Sequence, residues 1–111
     1  MPDMRLLLVE PDAAHGRVQA RLLARLGYAV RLVHTRQAAL RAIRQGRYGV
    51  AVVDLFLPGG GPQLARALAP RVRRLVLSVG PEIGRAESLR AARGFPVHRK
   101  RALTRVLLIP R

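Results

Sequence analysis

Acidic residues are scarce in this 111-residue sequence, where six Asp and Glu stand against 21 Lys and Arg and the formal net charge is +15. Cysteine is absent, which excludes disulfide bridges, cysteine-ligated zinc and thiol catalysis, and favours a reducing compartment. No apolar run approaches the roughly 18 residues of a membrane span, and the N-terminal run is too short for a secretory signal. The sequence therefore predicts a cytoplasmic protein without a membrane segment.

Lysine and aromatic residues are also rare. Lys100 is the only lysine among the basic residues, and all the others are arginine. Aromatic residues make up 4% of the chain, too few for a platform on which single-stranded nucleic acid stacks its bases. The positive charge itself favours acidic partners without saying whether they are proteins, nucleic acids or anionic membranes.

What the sequence does contain is a regular alternation of short apolar runs and amphipathic segments, in a chain that is 50% hydrophobic. The apolar runs predict strands over 5–9, 29–33, 50–53, 75–77 and 95–99. Helices are predicted over 13–26, between Thr35 and Gly46, and over 62–70, 82–93 and 103–109, and we expect Val18, Leu22 and Leu26 to face inward from the first. Because each parallel crossover needs a helix, this alternation predicts an α/β domain, a doubly wound five-stranded parallel sheet with helices on both faces.

Three of the six acids lie where two of the predicted strands end. Glu10 and Asp12 follow the first strand, and Asp54 follows the third. Ligands of open α/β sheets bind at the carboxyl ends of the strands, so these acids mark the candidate site. Carboxylates brought together in this way repel one another unless a cation lies between them, which predicts either a hard metal ion or a basic side chain there.

Four landmarks at these strand ends resemble a response-regulator receiver domain, the phosphoacceptor module of two-component signalling. They are Leu8-Val9-Glu10 after the first strand, Asp54 with Pro58-Gly59 after the third, Leu77-Ser78 after the fourth and Lys100 after the fifth. The resemblance covers residues 4–109. It implies a flavodoxin-like fold with strand order 2-1-3-4-5, and a single domain over 1–111 with no output domain.

The resemblance also implies roles for individual residues. Asp54 would be the phosphoacceptor, forming an aspartyl phosphate with a phosphoryl group from a histidine kinase or a phosphotransfer protein. Mg²⁺ would be held by Glu10, Asp54 and the backbone carbonyl of Phe56, with Asp12 either a substitute ligand or only a helix cap. The protein would be a signalling domain rather than an enzyme, with at most self-catalysed phosphotransfer and dephosphorylation.

Two further residues would sense and stabilise the phosphoryl group. Ser78 would form a hydrogen bond with a phosphoryl oxygen, and Lys100 would pair with the acyl phosphate or, without it, with Asp54. Arg99 is an alternative to Lys100, because a shift of one residue in the last strand would exchange them. We prefer Lys100 because the chain otherwise uses arginine throughout, and a compact ammonium differs from a planar guanidinium in a crowded pocket.

Several residues depart from the pattern of the family, and two of them bear directly on the site. Pro11 stands where the family usually has a second acid that ligates Mg²⁺, and proline offers the ion no ligand. Val79 follows Ser78 where the family usually has a small residue, and would crowd the path of the phosphoryl donor. Pro11 makes Mg²⁺ binding the open point of the site.

A stripe of three arginines on the first predicted helix is the candidate docking surface. Arg17, Arg21 and Arg25 are spaced four residues apart and so share a face of the helix. In the family, this helix usually meets the kinase or phosphotransfer protein, so the stripe would either dock an acidic partner or form only a solvated face of the helix. A downstream effector protein and a homodimer are further partners that fit a receiver.

Three functions follow from these observations. The first is a stand-alone receiver phosphorylated on Asp54. The second is a degenerate receiver, a protein-binding module that works without phosphate because Lys100 or Arg99 takes over the neutralising task of the metal. The third, and the least favoured, is nonspecific nucleic-acid binding through the +15 charge, since the arginines are spread over several helices and no recognition motif occurs.

Overall fold

The computed structural model describes residues 4–109 and confirms the predicted alternation of strands and helices. The strands are β1 Arg5–Val9, β2 Ala29–Val33, β3 Val50–Asp54, β4 Arg74–Val79 and β5 Val97–Arg99. The helices are α1 Ala13–Arg25, α2 Arg36–Gln45, α3 Gly61–Leu68, α4 Arg85–Ala92 and α5 Leu103–Val106, with 3₁₀ helices at Ala69–Arg71 and Lys100–Ala102. Within residues 4–109, every helix is too short or too polar to cross a bilayer.

All strand pairs are parallel, and the sheet order is β2-β1-β3-β4-β5. The predicted fold class is therefore confirmed, including the order 2-1-3-4-5. Alternate side chains of β1 enter two separate cores, with Leu7 and Val9 on one face of the sheet and Leu6 and Leu8 on the other. Burial on both faces explains why β1 is a continuous apolar run rather than an alternating one.

The last two helices are shorter than predicted. α4 begins at Arg85 because Gly84 before it has an extended backbone, and it ends where Arg93 adopts a left-handed conformation with φ of 53°. The predicted helix over 103–109 ends at Val106, and a 3₁₀ helix over Lys100–Ala102 precedes it. The element types were predicted correctly, and the differences lie at their ends.

The inward face of α1 differs from the prediction. Val18 and Leu22, expected in the core, are 57% and 41% exposed, whereas Leu23 is 1% exposed. Gly16 is also buried, and a Cβ at this position would lie 2.8 Å from Leu32 Cδ1 and 3.4 Å from Glu10 Cγ. The helix lies close to the sheet along the Gly16–Leu23 side, which turns Val18 and Leu22 to the surface.

Candidate functional site

The register of the central strands brings the predicted acids to one end of the sheet. Val9 of β1 pairs with Val53 of β3, so Glu10 and Asp54 follow side by side. On the other side of β3, Asp54 pairs with Ser78 of β4. Glu10 and Ser78 are each 1% exposed and Asp54 is 8% exposed, so the two carboxylates are largely withdrawn from water. Buried acids of this kind need a positive partner.

Lys100 is the positive partner of both acids. Its Nζ lies 2.6 Å from Glu10 Oε1 and 2.6 Å from Asp54 Oδ2. Lys100 begins the 3₁₀ helix that follows β5, so its side chain reaches past the end of β4 to residues of β3 and β1. One ammonium thus neutralises one of two buried negative charges, and with both acids ionised the group keeps a net charge of −1.

Two opposed effects set the pKa of Lys100. Burial lowers the pKa of the ammonium, but hydrogen bonds from Nζ to Asp54 and Glu10, together with their negative charges, outweigh burial and leave the pKa above its usual value. Lys100 is therefore charged at neutral pH. The ion pair persists into alkaline solution and is lost only as the pH rises through this elevated pKa.

The remaining carboxylate oxygens bind backbone amides. The Phe56 amide donates to Asp54 Oδ1 at 2.8 Å, and the Asp12 amide donates to Glu10 Oε2 at 3.1 Å. Each acid therefore has one oxygen on Lys100 and the other on an N–H group two residues further along the chain. These hydrogen bonds fix the orientation of both carboxylates.

Asp12, the third predicted acid, does not join the other two. Its side chain accepts a hydrogen bond from the His15 amide at 3.0 Å and so caps the N-terminus of α1. This hydrogen bond lowers the pKa of the Asp12 carboxyl, and its exposure to water agrees with a charged, solvated cap. Of the two readings of Asp12, the cap is the one that the geometry supports.

The structure separates Lys100 from Arg99, which the sequence left as alternatives. Arg99 Nη1 donates to the backbone carbonyl of Gly80 at 2.7 Å, and so binds the loop after β4 instead of the acids. Val79, at the end of β4, is 3% exposed and packs in the core. Lys100 therefore contacts the acids, and Arg99 ties the neighbouring loop to β5.

Gly61 has a structural role at the site that the sequence prediction missed. The helix predicted over 62–70 begins one residue earlier, at Gly61, directly against the segment after Asp54. A Cβ on Gly61 would collide with the backbone carbonyl oxygens of Asp54 and Leu55. Only glycine lets α3 approach so closely, and a pattern of three glycines gives no indication of which one is required.

The donor set at the acid pair agrees with Mg²⁺ in type but is sparse. Mg²⁺ takes oxygen ligands and is commonly held by one or two carboxylates and several waters. Glu10 and Asp54 supply two carboxylates, the Phe56 carbonyl is a further oxygen donor, and Pro11 supplies none. No cluster of three or more His, Asp or Glu side chains suited to a metal occurs within residues 4–109. A Mg²⁺ ion would share its two carboxylates with the Lys100 ammonium.

A small cavity opens beside Lys100, between α1 and the loops that follow β4 and β5. It has a volume of about 310 Å³ and is lined by residues that include His15, Val18, Val79, Lys100 and Arg101. The predicted docking residues Arg17, Arg21 and Arg25 are all exposed on α1 nearby. Exposed arginines therefore flank exposed apolar side chains on the helix next to the acid pocket.

The fold and the strand-end residues define the class: the chain has the receiver-domain fold of response regulators. No protein-family model matches the sequence, and no curated protein is significantly similar to it. Solved structures are similar in fold. A response regulator receiver domain protein from Methanospirillum hungatei JF-1 superposes with a TM-score of 0.73 at 24% identity, over 94% of this chain and 86% of the other.

Two further structures resemble this chain at 25% identity. One is a response regulator protein from Burkholderia pseudomallei with a phosphorylated aspartic acid, a calcium ion and citrate; its TM-score is 0.78, and the match covers 94% of this chain and 64% of that one. The other is the BeF3-activated conformation of SdrG from Pseudomonas melonis Fr1, with a TM-score of 0.71 over 96% of this chain and 97% of that one. The likeness spans nearly the whole of the present chain.

Proposed function

We propose that this chain is a cytoplasmic receiver in phosphorelay signalling, with Asp54 accepting a phosphoryl group from a histidine kinase or a phosphotransfer protein. The observation that carries the proposal is the pairing of Lys100 Nζ with Asp54 Oδ2 at 2.6 Å, at the strand end where Ser78 lies beside Asp54. The similar structure from Burkholderia pseudomallei, with its phosphorylated aspartic acid, supports it. The domain would pass its state to an effector by protein contact.

The chemistry of the proposal assigns a task to each pocket residue. A carboxylate oxygen of Asp54 attacks the phosphorus, a P–O bond forms, and the bond from phosphorus to the donor breaks with its electron pair leaving on the donor. Lys100 moves from Asp54 to a phosphoryl oxygen, and the Ser78 hydroxyl donates to another. A Mg²⁺ ion bound by Glu10, Asp54 and the Phe56 carbonyl would neutralise negative charge on the transferring group.

Mass spectrometry tests phosphorylation. The protein is incubated with a small phosphodonor such as acetyl phosphate, with and without Mg²⁺, beside an Asp54→Asn control. We expect one added phosphoryl group in the presence of Mg²⁺, and none in the control. An unmodified protein, with no Mg²⁺-dependent change in its NMR spectrum, would contradict the proposal.

A second candidate function is a degenerate receiver that binds partners without phosphate. It is favoured by Pro11 at the position of a usual metal ligand, and by the engagement of every carboxylate oxygen of Glu10 and Asp54 with Lys100 or a backbone amide. In this case, Lys100 permanently neutralises the carboxylates, as a bound metal ion would do only while it is present. The pocket then serves as a structural ion cluster.

Restoring an acid separates the two candidates. In Pro11→Asp, the new carboxylate adds a ligand beside Glu10, so the degenerate function predicts a large gain in Mg²⁺ affinity together with new phosphorylation. The double variant Pro11→Asp with Asp54→Asn is the matched control, because it keeps the added acid and removes the acceptor. Unchanged Mg²⁺ binding in Pro11→Asp would count against the degenerate function.

The partner surface that we assign to either function is α1. Arg17, Arg21 and Arg25 would contact an acidic kinase or phosphotransfer partner, and exposed Val18 and Leu22 would supply the apolar contact. Charge reversal at Arg21 should slow phosphotransfer from a partner protein without changing modification by a small phosphodonor. Equal slowing by both donors would instead locate the effect in the pocket.

A further inference from the structure

A groove opens on the surface between the loop that follows β3 and the C-terminal half of α4. It has a volume of about 520 Å³. Buried Leu57 and Pro62 give its lining an apolar part, and Phe56, Arg90 and Arg93 are its exposed lining residues. The groove lies on the face of the sheet that α3 and α4 cover, whereas α1 covers the other face. It is therefore separate from the docking surface assigned to α1.

Phe56 is the exposed apolar residue of the groove. Its side chain is 48% exposed, whereas Leu55 and Leu57 on either side of it are each 2% exposed. The Phe56 amide donates to Asp54 Oδ1 at 2.8 Å, and the Leu57 amide donates to the Asp54 carbonyl at 3.1 Å. These hydrogen bonds fix the backbone of the turn. A single exposed apolar residue is common, but this ring stands beside a groove that is itself partly apolar.

Two arginines of the groove have no partner. Within residues 4–109, the side chains of Arg90 and Arg93 form neither an ion pair nor a hydrogen bond. Glu87 is the single acid of the lining, and it too forms no ion pair with the described residues. The groove thus has an excess of positive charge, which an acidic partner would neutralise.

The backbone of Arg93 is unusual for its residue type. Its φ is 53°, in the left-handed region, and no other residue except glycine has a positive φ in the part of the chain that the structure describes. Glycine commonly ends helices in this conformation, which it adopts without strain, and Gly94 follows directly with a φ of 92°. An arginine at this point costs stability that a glycine would not. The charge that it adds to the groove accounts for that cost.

We propose that this groove binds a segment of a partner protein in which a bulky apolar side chain lies between acidic ones. The apolar side chain would pack against Phe56, and the carboxylates would pair with Arg90 and Arg93. A second copy of this chain does not fit, because two molecules with a net charge of +15 repel each other. Such docking does not require phosphorylation of Asp54, so its tests use no phosphodonor and stand apart from those of the proposed function.

Titration of the intact protein with short blocked peptides tests the docking. One peptide has leucine and phenylalanine at its centre between glutamates, and a second has the same charge with serine at both central places. Binding is followed by isothermal calorimetry and by the NMR shifts of the Gly60 and Ala91 amides, which lie in the lining. We expect the first peptide to shift these amides and to bind at least about fivefold more tightly. Equal affinities, or shifts only elsewhere in the chain, would overturn the proposal.

Single-stranded DNA is the competing class of partner, since arginines and an aromatic ring also bind bases. An oligothymidylate with the same net charge as the peptides distinguishes it. We expect this oligonucleotide to shift the Gly60 and Ala91 amides less than the apolar peptide does. Larger shifts with the oligonucleotide would assign the groove to nucleic acid and overturn the proposal.

Two doubly substituted proteins with the same net charge separate the groove from general attraction. Arg90→Ala with Arg93→Gly removes both arginines of the groove, and Arg31→Ala with Arg105→Ala removes two exposed arginines outside the lining. We expect the first pair to weaken binding of the apolar peptide by at least about threefold, and the second pair to change it little. Equal weakening by both pairs would contradict a specific groove.

Phe56→Ala tests the apolar contact. Because the ring is half exposed, we expect little change in the melting temperature, while the preference for the apolar peptide over the serine peptide should disappear. A preference that survives the substitution would remove Phe56 from the site.

Arg93→Gly separates a role in binding from a role in folding. Glycine adopts the left-handed conformation freely, so we expect an unchanged or higher melting temperature together with weaker binding of the apolar peptide. Weaker binding together with a lower melting temperature would mean that Arg93 supports the fold, and would contradict its place in the groove.

Discussion

The acid pocket contains two carboxylates and one ammonium group that contacts both of them. Glu10 and Asp54 are buried, and Lys100 lies 2.6 Å from each. Removing one member of a buried ion pair costs more than the pair itself contributes, because the remaining charge keeps its desolvation cost. Any cation that enters the pocket must therefore compete with Lys100, and Lys100 in turn controls how strongly the pocket attracts a cation.

Lys100→Met tests this competition. The substitution keeps most of the apolar stem and leaves two carboxylates facing each other, so we expect a loss of roughly 1–3 kcal/mol in the free energy of unfolding, moderated by partial exposure of the pocket. Mg²⁺ should then bind more tightly than to the natural chain and raise the melting temperature of the variant more. Calorimetry and thermal unfolding with and without Mg²⁺ measure both effects.

The neighbouring exposed residue gives the control for that prediction. Arg101→Met removes one positive charge from the same 3₁₀ helix without touching the acids. We expect its Mg²⁺ affinity to stay close to that of the natural chain. If Lys100→Met did not bind Mg²⁺ more tightly than Arg101→Met, Lys100 would not be a competitor.

Asp12 provides a test based on pH. Its carboxyl has a lowered pKa because it accepts the His15 amide, so its stabilising effect is present above the ordinary value of 3.8 and is lost as the pH falls through the depressed pKa. Asp12→Asn keeps a capping side chain and removes the charge. Denaturant unfolding between about pH 2.5 and 6 should show a stability difference that shrinks toward acid. Its Mg²⁺ affinity should equal that of the natural chain.

Two helices lie close to the sheet because each has a glycine at the point of contact. α3 starts with Gly61 against the carbonyl oxygens of Asp54 and Leu55, and α1 crosses Leu32 at Gly16. The two contacts differ in what could move. A backbone carbonyl cannot yield without displacing the segment that carries Asp54, whereas the tip of a leucine side chain can rotate.

Alanine at these two glycines should therefore have different effects. We expect Gly61→Ala to destabilise the protein by at least about 2 kcal/mol, because the added methyl group collides with backbone. Gly16→Ala should lie within about 1 kcal/mol of the natural chain, since the gain in helix propensity offsets the shift of Leu32. Urea unfolding of both variants measures the difference. Equal losses would show that the closeness of α3 does not matter.

Adjacent leucines on α1 test which face is buried. Leu23 is 1% exposed and Leu22 is 41% exposed, although the sequence pattern placed Leu22 inside. Leu23→Ala should cost about 2–5 kcal/mol, and Leu22→Ala less than about 1 kcal/mol. The two variants have the same composition, so each serves as the control for the other in thermal unfolding. A larger loss of stability in Leu22→Ala than in Leu23→Ala would show that the face predicted from the sequence is the buried one.

The case of α1 also shows why sequence reasoning succeeded for the sheet and failed for part of the site. Fully buried strands are apolar on both faces, so the continuous apolar runs of β1 and β3 can be recognised as strands in the sequence. Because parallel strands end at the same edge of the sheet, the acids that follow them lie at one edge. A helix with apolar residues on two sides offers two candidate faces, and only Gly16, through its approach to Leu32, decides between them. Lys100 contacts both acids because its side chain reaches across the end of β4. The spacing of residues in the sequence does not predict this reach.

For the molecule as a whole, charge is distributed unevenly along the sheet. The described acids lie at the end that carries Asp54, and Arg47, Arg71 and Arg73 lie in the loops at the other end. With a formal charge of +15 on 111 residues, repulsion among exposed arginines opposes the compact state. The buried group of Lys100 and its two acids is shielded from ions in solution, but the exposed arginines are not.

Salt should therefore stabilise this protein. Raising NaCl from about 20 mM to about 500 mM shortens the screening distance and weakens repulsion among surface arginines, so we expect the melting temperature to rise. Arg31→Ala with Arg105→Ala, which removes two exposed charges, should show a smaller rise. A fall in melting temperature with salt would mean that attractive ion pairs outweigh the repulsion.

Lys100 also sets a condition on the order in which the chain is made. Glu10 and Asp54 lie in the first half of the sequence, whereas the ammonium that neutralises them comes after residue 99. A nascent chain that has released β1 to β4 from the ribosome would have to bury two like charges with no internal counterion. The acid pocket therefore gains its internal counterion only after Lys100 has left the ribosome, and a ribosome stalled before residue 100 would hold a chain in which Glu10 and Asp54 lack it.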